Sequence, residues 1–380
     1  MRRYTSTILT FLIIAALAAC GPLSAAEGAD PLVTVFQDND HQFTGIAVSP
    51  AGRLFLCYPR WLPEHKYSVV EVLPGGKVKA FPDEKWNSWK KGEPGKGAFV
   101  CAQALFADSE ENLWVVDPAA PELGEVVDGA AKLVKINLKT NSVERVYPFE
   151  PAIADKTSYL NDVRIDTKRK CAYLTDSGNG ALVILSLGDG KARRVFYKNA
   201  ALLSDPAYAF RVNGVEIKNE KGPLKINSDG IALTPDNKYL YFKPLTDNKL
   251  YRIETAALHT RKWKKGQKLE DKIEKLGTLT TTDGMICDPA GNLYLGDIEN
   301  RELIRYGPDG RYEIFLKDSR LLWPDSYAVS KDGFLYVTCS QIHLMPWFNE
   351  GKDLRTTPYT VYKIKLPPEP PKKKKKRRGE

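Results

Sequence analysis

A short apolar strand, a polar turn and a second apolar strand recur along the chain as one repeated unit. In the first copy, residues 45–48 and 54–57 flank the turn 49–52. Further strand pairs follow at 103–106 and 113–116, 162–165 and 171–174, 230–233 and 239–242, 284–287 and 293–296, and 326–329 and 334–337. Their turns are rich in Pro, Asp, Asn and Gly, the residues that tight hairpin turns require. The pattern therefore predicts six β-hairpins.

Additional strands enlarge the hairpins into blades. Apolar segments at 181–185, 249–253 and 302–306 each follow a hairpin, so every unit is interpreted as a four-stranded antiparallel blade. The sequence thus predicts an all-β fold, a six-bladed β-propeller that occupies residues 31–366.

The two ends of this region predict how the ring closes. The last blade lacks an outer strand after residues 360–365, and the strand at 32–36 has no partner of its own. We expect the N-terminal strand to complete the last blade. Residues 254–276 contain many Lys and Glu and few β-branched residues, which predicts an exposed helical insertion between blades four and five.

Residues 1–26 have the composition of an export signal. Arg2 and Arg3 precede an apolar stretch that is too short for a stable membrane span, and small residues follow it. Residues 17–21 resemble a bacterial lipobox, in which Cys20 becomes a lipidated N-terminus; ordinary cleavage after Ala26 is the alternative. We therefore expect a secreted or cell-envelope protein, in the periplasm or anchored as an outer-membrane lipoprotein.

Positive charge is concentrated in residues 367–380, which are rich in Pro and Lys and predict a disordered tail. We expect the basic run from Lys372 to Arg378 to contact an anionic envelope surface; a tail that only aids solubility is the alternative. Residues 370–380 account for +6 and Arg2 and Arg3 for +2 of the net charge of +9, which leaves about +1 on the body. Such a body is not suited to nucleic acid as a partner.

Five cysteines remain when Cys20 is set aside, and none has the spacing of a zinc site. An oxidising compartment permits one or two disulfides. Cys57 and Cys339 end equivalent strands of blades that should be neighbours in the ring, so they are one candidate pair.

Polar residues stand directly before the inner strands, whose first residues should converge at one rim of the central channel. The candidate ligand-binding residues of this rim are Asn161, Asp162, Asp229 and Asp283, and Asp325 follows in blade six. Crowded carboxylates repel unless a cation, protons or hydrogen-bond donors offset them. Because an oxygen-only set suits Ca²⁺, Asn161, Asp229 and Asp283 are also candidate metal ligands. The alternative is that each Asp caps a turn of its own blade.

Few groups are available for proton chemistry. His343, in the loop after the sixth hairpin, and Asp325 are the candidate catalytic residues. Trp323 and Tyr327 lie near the rim and could stack on a flat or cationic ligand, with core packing as the alternative for each. The sequence contains no nucleophile elbow, phosphate loop or triad-like spacing.

Specific stretches surround these rim residues, at 44–49 with 59–61, 160–166 with 173–182, 228–235, 282–285 with 291–294, and 323–325 with 341–352. Together they resemble the major royal jelly/yellow proteins, in the bacterial branch related to L-dopachrome tautomerase. The resemblance implies a six-bladed propeller, dopachrome conversion in some members and binding of small amines at the channel mouth in others.

That family is also distantly similar to gluconolactonase-like propellers, in which a Glu, an Asn and an Asp hold a divalent metal. Asn161 and Asp229 match this pattern, but residues 41–44 contain no Glu. The leading hypothesis is an exported propeller that binds a small polar or aromatic ligand at its channel and, if it is an enzyme, acts as a dopachrome-type tautomerase. The alternatives are a calcium-dependent, lactonase-like hydrolase and a non-catalytic binding or scaffold protein.

Overall fold

Each of the six repeats folds into one four-stranded antiparallel sheet. The computed structural model describes residues 30–260 and 264–368. The propeller forms a unit that begins at Leu32, and the preceding unit lies almost entirely outside the described residues. The predicted export signal, Cys20 and the basic run of the tail also lie outside them, so these remain predictions.

The strands of the first three blades follow one another along the chain after β1 (Val33–Asp38). Blade one contains β2 (Ile46–Val48), β3 (Leu54–Cys57), β4 (Val69–Val72) and β5 (Val78–Ala80). Blade two contains β6 (Ala104–Ala107), β7 (Asn112–Asp117), β8 (Lys132–Asn137) and β9 (Ser142–Pro148). Blade three contains β10 (Leu160–Asp166), β11 (Cys171–Asp176), β12 (Ala181–Ser186) and β13 (Ala192–Val195).

Two small hairpins precede blade four: β14 (Arg211–Val212) with β15 (Val215–Glu216), and β16 (Lys218–Asn219) with β17 (Gly222–Pro223). Blade four contains β18 (Ser228–Leu233), β19 (Tyr239–Pro244), β20 (Lys249–Glu254), the one-turn helix α1 (Thr255–Leu258) and β21 (Glu274–Thr278). Blade five contains β22 (Met285–Cys287), β23 (Leu293–Asp297), β24 (Glu302–Tyr306) and β25 (Tyr312–Lys317). Blade six contains β26 (Pro324–Val329), β27 (Phe334–Cys339) and β28 (Tyr359–Lys365).

The N-terminal strand closes the ring, as the sequence predicts. β1 pairs antiparallel with β28, from Val33 opposite Lys363 to Asp38 opposite Tyr359. The last sheet therefore has the order β1-β28-β27-β26, with its outer strand supplied by the other end of the propeller.

The core is divided among the spaces between blades. Six apolar clusters occupy the six interfaces between neighbouring sheets. The inner strands also contact one another in ring order, and β26 returns to contact β2. Because both faces of each blade are covered, each second strand contains a run of consecutive apolar residues rather than apolar residues at alternate positions only. This arrangement confirms the six-bladed propeller.

The helical insertion predicted for residues 254–276 is wrong. Among the described residues of this segment, 254–260 and 264–276, only α1 and a 3₁₀ turn at Glu270–Lys272 are helical, and β21 forms the outer strand of blade four. Arg252 on β20 pairs with Glu274 on β21 at 2.8 Å. Charged residues protect an exposed sheet edge, so the Lys- and Glu-rich composition fits an edge strand as well as a helix.

The candidate disulfide between Cys57 and Cys339 is not formed. Both residues are buried free thiols, as are Cys101 and Cys171, and Cys287 is a partly buried one. Cys57 instead donates a hydrogen bond to the carbonyl oxygen of Gln103 at 3.1 Å. Burial raises the pKa of the Cys57 thiol, which keeps it protonated.

Strand direction gives the propeller two different faces. Every inner strand begins at one face, which we call the mouth face, and runs towards the opposite base face. In blade four, for example, Ser228 pairs with Pro244 at the mouth face, and Leu233 pairs with Leu240 near the base. The long connections 81–103, 196–227 and 340–358 all lie on the mouth face. Within the described residues, no helix is long and apolar enough to span a membrane.

Closure can be tested by shortening one buried side chain of β1. Phe36 is 5% exposed and packs on Phe43 with ring centroids 6.1 Å apart, whereas Val33 on the same strand is 44% exposed. We expect Phe36→Ala to lower the free energy of unfolding by about 3–5 kcal/mol. Val33→Ala, the matched control, should cost well under half of that. Equal denaturation midpoints for the two variants would contradict the role of β1.

Candidate ligand site at the channel mouth

The inner strands of three blades break register at the rim. Irregularities fall between Leu160 and Val163, between Ser228 and Ile231, and between Pro324 and Tyr327. Such bulges commonly redirect side chains next to functional sites. Here they coincide with the rim residues of blades three, four and six.

Glycine allows neighbouring inner strands to approach closely at the same level. A Cβ added to Gly230 would lie 2.5 Å from the carbonyl oxygen of Asp283, and one added to Gly284 would lie 2.6 Å from that of Asp325. Both distances are shorter than any side chain tolerates, since the obstacle is backbone. The Asp-Gly pairs at 229–230 and 283–284 therefore bring successive carboxyl groups together.

The structure brings the predicted rim residues of blades three to six into one buried cluster. The side chains share one property, which is that each is less than 10% exposed, so this rim is buried rather than solvent-exposed: Asn161, Asp229, Asp283 and Asp325. The Asn161 side-chain amide donates to Asp229 Oδ2 at 2.7 Å. Trp323 Nε1 donates to Asp283 Oδ2, also at 2.7 Å. We call the three aspartates of this cluster, Asp229, Asp283 and Asp325, the carboxyl cluster.

The carboxyl cluster does not cap turns. Among the described residues, none of its three side chains accepts a hydrogen bond from a backbone N–H, whereas Asp117 and Asp176 do so at the ends of second strands. The capping alternative thus applies to a different set of aspartates, which the sequence analysis did not single out. The end of an apolar second strand is the signal that could have identified them.

Burial makes the carboxyl cluster difficult to ionise. Burial, with the nearby carboxyls of Asp325 and Asp162, raises the pKa of Asp229 to about 8. Burial, with Asp229 beside it, holds the pKa of Asp283 well above its usual range, and burial together with Asp283 does the same for Asp325. Asp229 therefore retains its proton near neutral pH unless a cation replaces it, and the pKa values of Asp283 and Asp325 shift in the same direction.

Lys243 is a buried cation beside the cluster that the sequence analysis missed. Its ammonium group is fully buried and donates to the carbonyl oxygens of Pro244 and Asp247, at 2.7 Å each. Burial lowers the pKa of Lys243 to about 7, against the opposing effect of Asp247 and Asp229. An apolar strand that contains one lysine, as β19 does, is the only signal the sequence offers.

Asp162 faces the channel below the cluster, where Arg164 crosses the lumen. Arg164 NH1 donates to Asp162 Oδ1 at 2.7 Å, and NH2 donates to the carbonyl oxygen of Met285 at 2.6 Å. Blades three and five are not neighbours, so this side chain bridges the channel and gives the mouth a floor. Asp162 is therefore already paired by a cation within the protein.

A hydrogen-bonded chain extends the site towards blades one and two. Trp61 Nε1 donates to the Tyr159 hydroxyl, which donates to Gln103 Oε1, both at 2.7 Å. Gln103 in turn donates to Asn161 Oδ1 at 3.4 Å. Tyr159 is partly exposed, so this side of the mouth offers an aromatic surface beside the polar cluster.

His343 and Trp323 lie together on the opposite side of the mouth. Their rings stack at 5.9 Å with an interplanar angle of 11°, and both residues are almost fully buried. Burial, with Arg301 nearby, lowers the pKa of His343 to about 4, so the imidazole is neutral at pH 7. Neither ring nitrogen has a hydrogen-bond partner among the described residues, so His343 does not contact the carboxyl cluster directly.

Trp323 and Tyr327 do not form an open stacking surface. The Trp323 indole is 1% exposed and donates its N–H to Asp283. It packs in a cluster with Leu245 and with Phe210 of the 196–227 connection. Tyr327 packs between blades five and six. The register break before Tyr327 turns its ring away from the channel, and for both residues the core-packing alternative describes the structure.

Several buried polar atoms around the mouth have no hydrogen-bond partner in the described part of the chain. They include Asp229 Oδ1, the hydroxyls of Ser228 and Thr281, and both ring nitrogens of His343. Buried polar groups are normally satisfied, so a concentration of unsatisfied ones marks a place built for another molecule. The atoms lie in blades four, five and six, on the same side as the carboxyl cluster.

Comparison with known proteins identifies the family. The sequence profile of the major royal jelly proteins matches residues 100–352, which is more than half of the chain. The chain belongs to the major royal jelly protein family. It is 24% identical over 237 residues to major royal jelly protein 3 and 28% identical over 202 residues to major royal jelly protein 2, both of Apis mellifera. These alignments cover 60% and 50% of this chain, and 41% and 42% of the relatives, so less than half of either relative is spanned.

Solved propellers of other families share the fold of this royal-jelly-family chain. A calcium-binding protein, regucalcin, from Agrobacterium tumefaciens has a TM-score of 0.52 and 16% identity, with 89% of this chain and 97% of that chain covered. A gluconolactonase from Xanthomonas campestris has a TM-score of 0.52 and 11% identity, with 89% and 96% covered. Residues 41–44, before the inner strand of blade one, contain no Glu; Thr44 there is buried, and its hydroxyl donates to the carbonyl oxygen of Gln103 at 3.1 Å.

A second acidic group, Asp38 with Asp40 and His41, brings possible metal-binding atoms within 4.8 Å of one another. Asp38 Oδ1 accepts the backbone N–H groups of Asp40 and His41, and Oδ2 accepts the Tyr58 hydroxyl. These bonds already explain the arrangement as a turn after β1, away from the channel.

The carboxyl cluster should make stability fall as pH rises. An aspartate that keeps its proton to about pH 8 when folded, but loses it near pH 4 when unfolded, stabilises the folded state most at low pH. Between those values the free energy of unfolding should decrease, on the order of 1 kcal/mol per pH unit for one such group. Thermal melts of wild type and Asp229→Asn from pH 5 to 8 should show a shallower decline in the variant. The exposed control, Asp128→Asn, should lose stability with pH as steeply as wild type does. If Asp229→Asn also loses stability as steeply as wild type, Asp229 is not the source of the pH dependence.

Proposed function

We propose that this royal-jelly-family propeller binds a small ligand with a cationic amine and an aromatic ring at the mouth of its channel. The observation that carries the proposal is the buried pair of carboxyls of Asp229 and Asp283, in which Asp229 Oδ1 meets no amide, hydroxyl or ammonium donor of the described residues. A positive charge placed there would replace a proton that the cluster otherwise retains. The function implied by the resemblance, small-amine binding in some family members, agrees with this chemistry.

Charge balance within the mouth supports a single cationic ligand. Arg164 already neutralises Asp162, and Lys243 directs its protons to two carbonyl oxygens rather than to the cluster. Asp229 and Asp283 therefore lack a cation in direct contact. The partly exposed Tyr159, linked through Gln103 to Asn161, supplies an aromatic surface for the remainder of the ligand.

Calorimetric titration with tyramine tests this proposal, with 4-ethylphenol as the matched ligand that lacks the amine. Wild type should bind tyramine more tightly at pH 8 than at pH 6, because fewer protons compete at the higher pH. Asp229→Asn should weaken tyramine binding at least tenfold, and Asp128→Asn should leave it unchanged. Equal affinity for tyramine and 4-ethylphenol would contradict a site that selects positive charge.

A tautomerase of the dopachrome type is a more specific form of the same proposal. Tautomerisation moves a proton from carbon to oxygen, which requires one group that accepts a proton and one that donates it. Asp229 and Asp283 can fill these roles once Asp229 has lost its proton, which its pKa of about 8 permits as pH rises, while Asp283, whose pKa is also raised, can supply a proton. Asp325 lies beside them, whereas His343 has no hydrogen bond to the cluster. Loss of dopachrome absorbance, measured with the same variants, separates a catalyst from a binding protein.

Calcium is the second candidate ligand, and the structural similarity to regucalcin favours testing it. The donor chemistry fits, because Asp229 and Asp283 supply hard carboxylate oxygens and Asn161 an amide oxygen. Asn161, however, presents its nitrogen to Asp229 and its oxygen to Gln103, and residues 41–44 supply no Glu. A bound Ca²⁺ would supply Lewis-acid chemistry to a lactonase-like hydrolase.

If calcium binds here, it should raise the melting temperature of wild type, and EDTA should reverse the rise. Asp229→Asn should abolish the calcium effect because the variant loses the central anionic oxygen. Asp40→Asn serves as the matched control, since Asp40 belongs to the separate group after β1. If the calcium effect disappears only in Asp40→Asn, the calcium site lies in the group of Asp38, Asp40 and His41 and not at the channel mouth.

The location of the protein is proposed from its sequence alone. We propose that the mature chain works outside the cytoplasm, either secreted or held at the envelope through Cys20. The proposal rests on the basic, apolar and small-residue order of the first 26 residues.

A further inference from the structure

Both ends of the propeller leave from its base face, opposite the channel mouth. β1 begins with Val33 paired to Lys363, and β28 ends with Lys365 paired to Phe334. The next residue, Leu366, donates its N–H to the carbonyl oxygen of Gly333, in the base turn of blade six. The described part of the chain therefore ends at the base side, at residues 366–368.

Exposed lysines project from the base of blade four. The connection from β20 to β21 lies on this face, because Tyr239 pairs with Glu254 and Arg252 pairs with Glu274. Its Lys264, Lys265 and Lys268 are all exposed. Within the described residues, none of the three side chains forms an ion pair. Their charges are therefore available to a partner.

The neighbouring base turn of blade three continues this basic surface. Lys168 and Lys170 are exposed there, and Arg169 between them donates to the carbonyl oxygen of Asn237, in the base turn of blade four, at 3.1 Å. We call the exposed lysines Lys168, Lys170, Lys264, Lys265 and Lys268 the basal lysines. They are spread over two blades rather than gathered around a pocket.

The mouth face has a different charge distribution. Besides the buried carboxyl cluster, its connection between β7 and β8 exposes Glu122, Glu125 and Asp128. Lysines that lie on this face are partly engaged with these acids, as Lys91 is with Glu122 and Lys156 with Glu125. This face also exposes lysines such as Lys218 and Lys221, so its charges are mixed. At the base, the five basal lysines outnumber the exposed acids Glu270 and Asp271 of the same two turns, so an extended anionic surface would meet net attraction there.

We propose that the base face docks on an anionic lipid bilayer, with the basal lysines against the headgroups and the channel mouth directed away. Lysines dispersed over a broad face suit a diffuse surface charge, which each basic residue near the membrane can contact without a shaped pocket. The proposal is independent of the ligand, and it leaves the mouth open to solvent while the protein is bound.

Vesicle sedimentation with the full chain tests this orientation. Wild type should bind vesicles that contain phosphatidylglycerol and should bind pure phosphatidylcholine vesicles far more weakly. The triple variant Lys264→Gln/Lys265→Gln/Lys268→Gln should lose at least tenfold in partitioning, because each basic residue near an anionic membrane contributes about 1 kcal/mol. The matched control, Lys85→Gln/Lys218→Gln/Lys221→Gln, removes three exposed lysines from mouth-face connections and should bind as wild type does.

The tail is present in all three proteins, so a difference between the triple variants reports on the folded body alone. Both variants should melt at the wild-type temperature, because the substituted side chains are exposed. Equal losses in the two variants would overturn the proposed orientation, as would wild-type binding that ignores phosphatidylglycerol. Binding to polyglutamate but not to vesicles would also overturn it, in favour of an acidic polymer as the partner.

Discussion

Antiparallel pairing of β1 with β28 joins the two ends of the propeller in one sheet, and the candidate site depends on this closure. A closed ring fixes six inner strands around one axis, so residues far apart in sequence meet at the rim. Asn161 and Asp229, 68 residues apart, share a 2.7 Å hydrogen bond for this reason. Without β1, blade six would lose its outer strand, and β28 would become an unpaired sheet edge. The geometry of the mouth is therefore a property of the whole ring rather than of any local motif.

The same closure forces an unfavourable arrangement on the carboxyl groups. Gly230 and Gly284 allow successive inner strands to approach so closely that Asp229, Asp283 and Asp325 are buried side by side. Burying several acids without a cation in direct contact costs stability, and the cluster limits that cost by keeping protons. Six apolar interfaces between blades supply the stabilisation that offsets it. Unfavourable polar arrangements persist where function requires them, and here they coincide with unsatisfied polar atoms.

Local pattern explains what the sequence could predict. Blade number, closure by β1 and the convergence of the rim residues all follow from strand spacing, which is a short-range signal. Three other features depend on long-range geometry: the burial of the rim, the Arg164 side chain that reaches Met285 across the channel, and the proximity of Lys243 to the acids. Tyr327 was expected near the rim from its place early in the inner strand, but the register break between Pro324 and Tyr327 accompanies packing of its ring between blades five and six. The edge strand β21 was misread because Lys and Glu are common both on exposed helices and on exposed sheet edges.

Proton retention also determines what kind of selectivity this mouth can have. A neutral ligand that enters must leave the protons of Asp229 and Asp283 in place. Its affinity then comes only from uncharged contacts with the mouth. A cationic ligand can replace a proton and then interacts with a carboxylate in a buried setting, where charge–charge attraction is strong. Arg164 closes the channel below the mouth and already neutralises Asp162. A ligand that enters from the mouth would therefore meet the carboxyl cluster rather than a channel lined with further negative charge. If the proposed ligand binds here, the mouth would discriminate by charge first and by shape second, and its affinity for cations would rise with pH until the cluster is fully ionised.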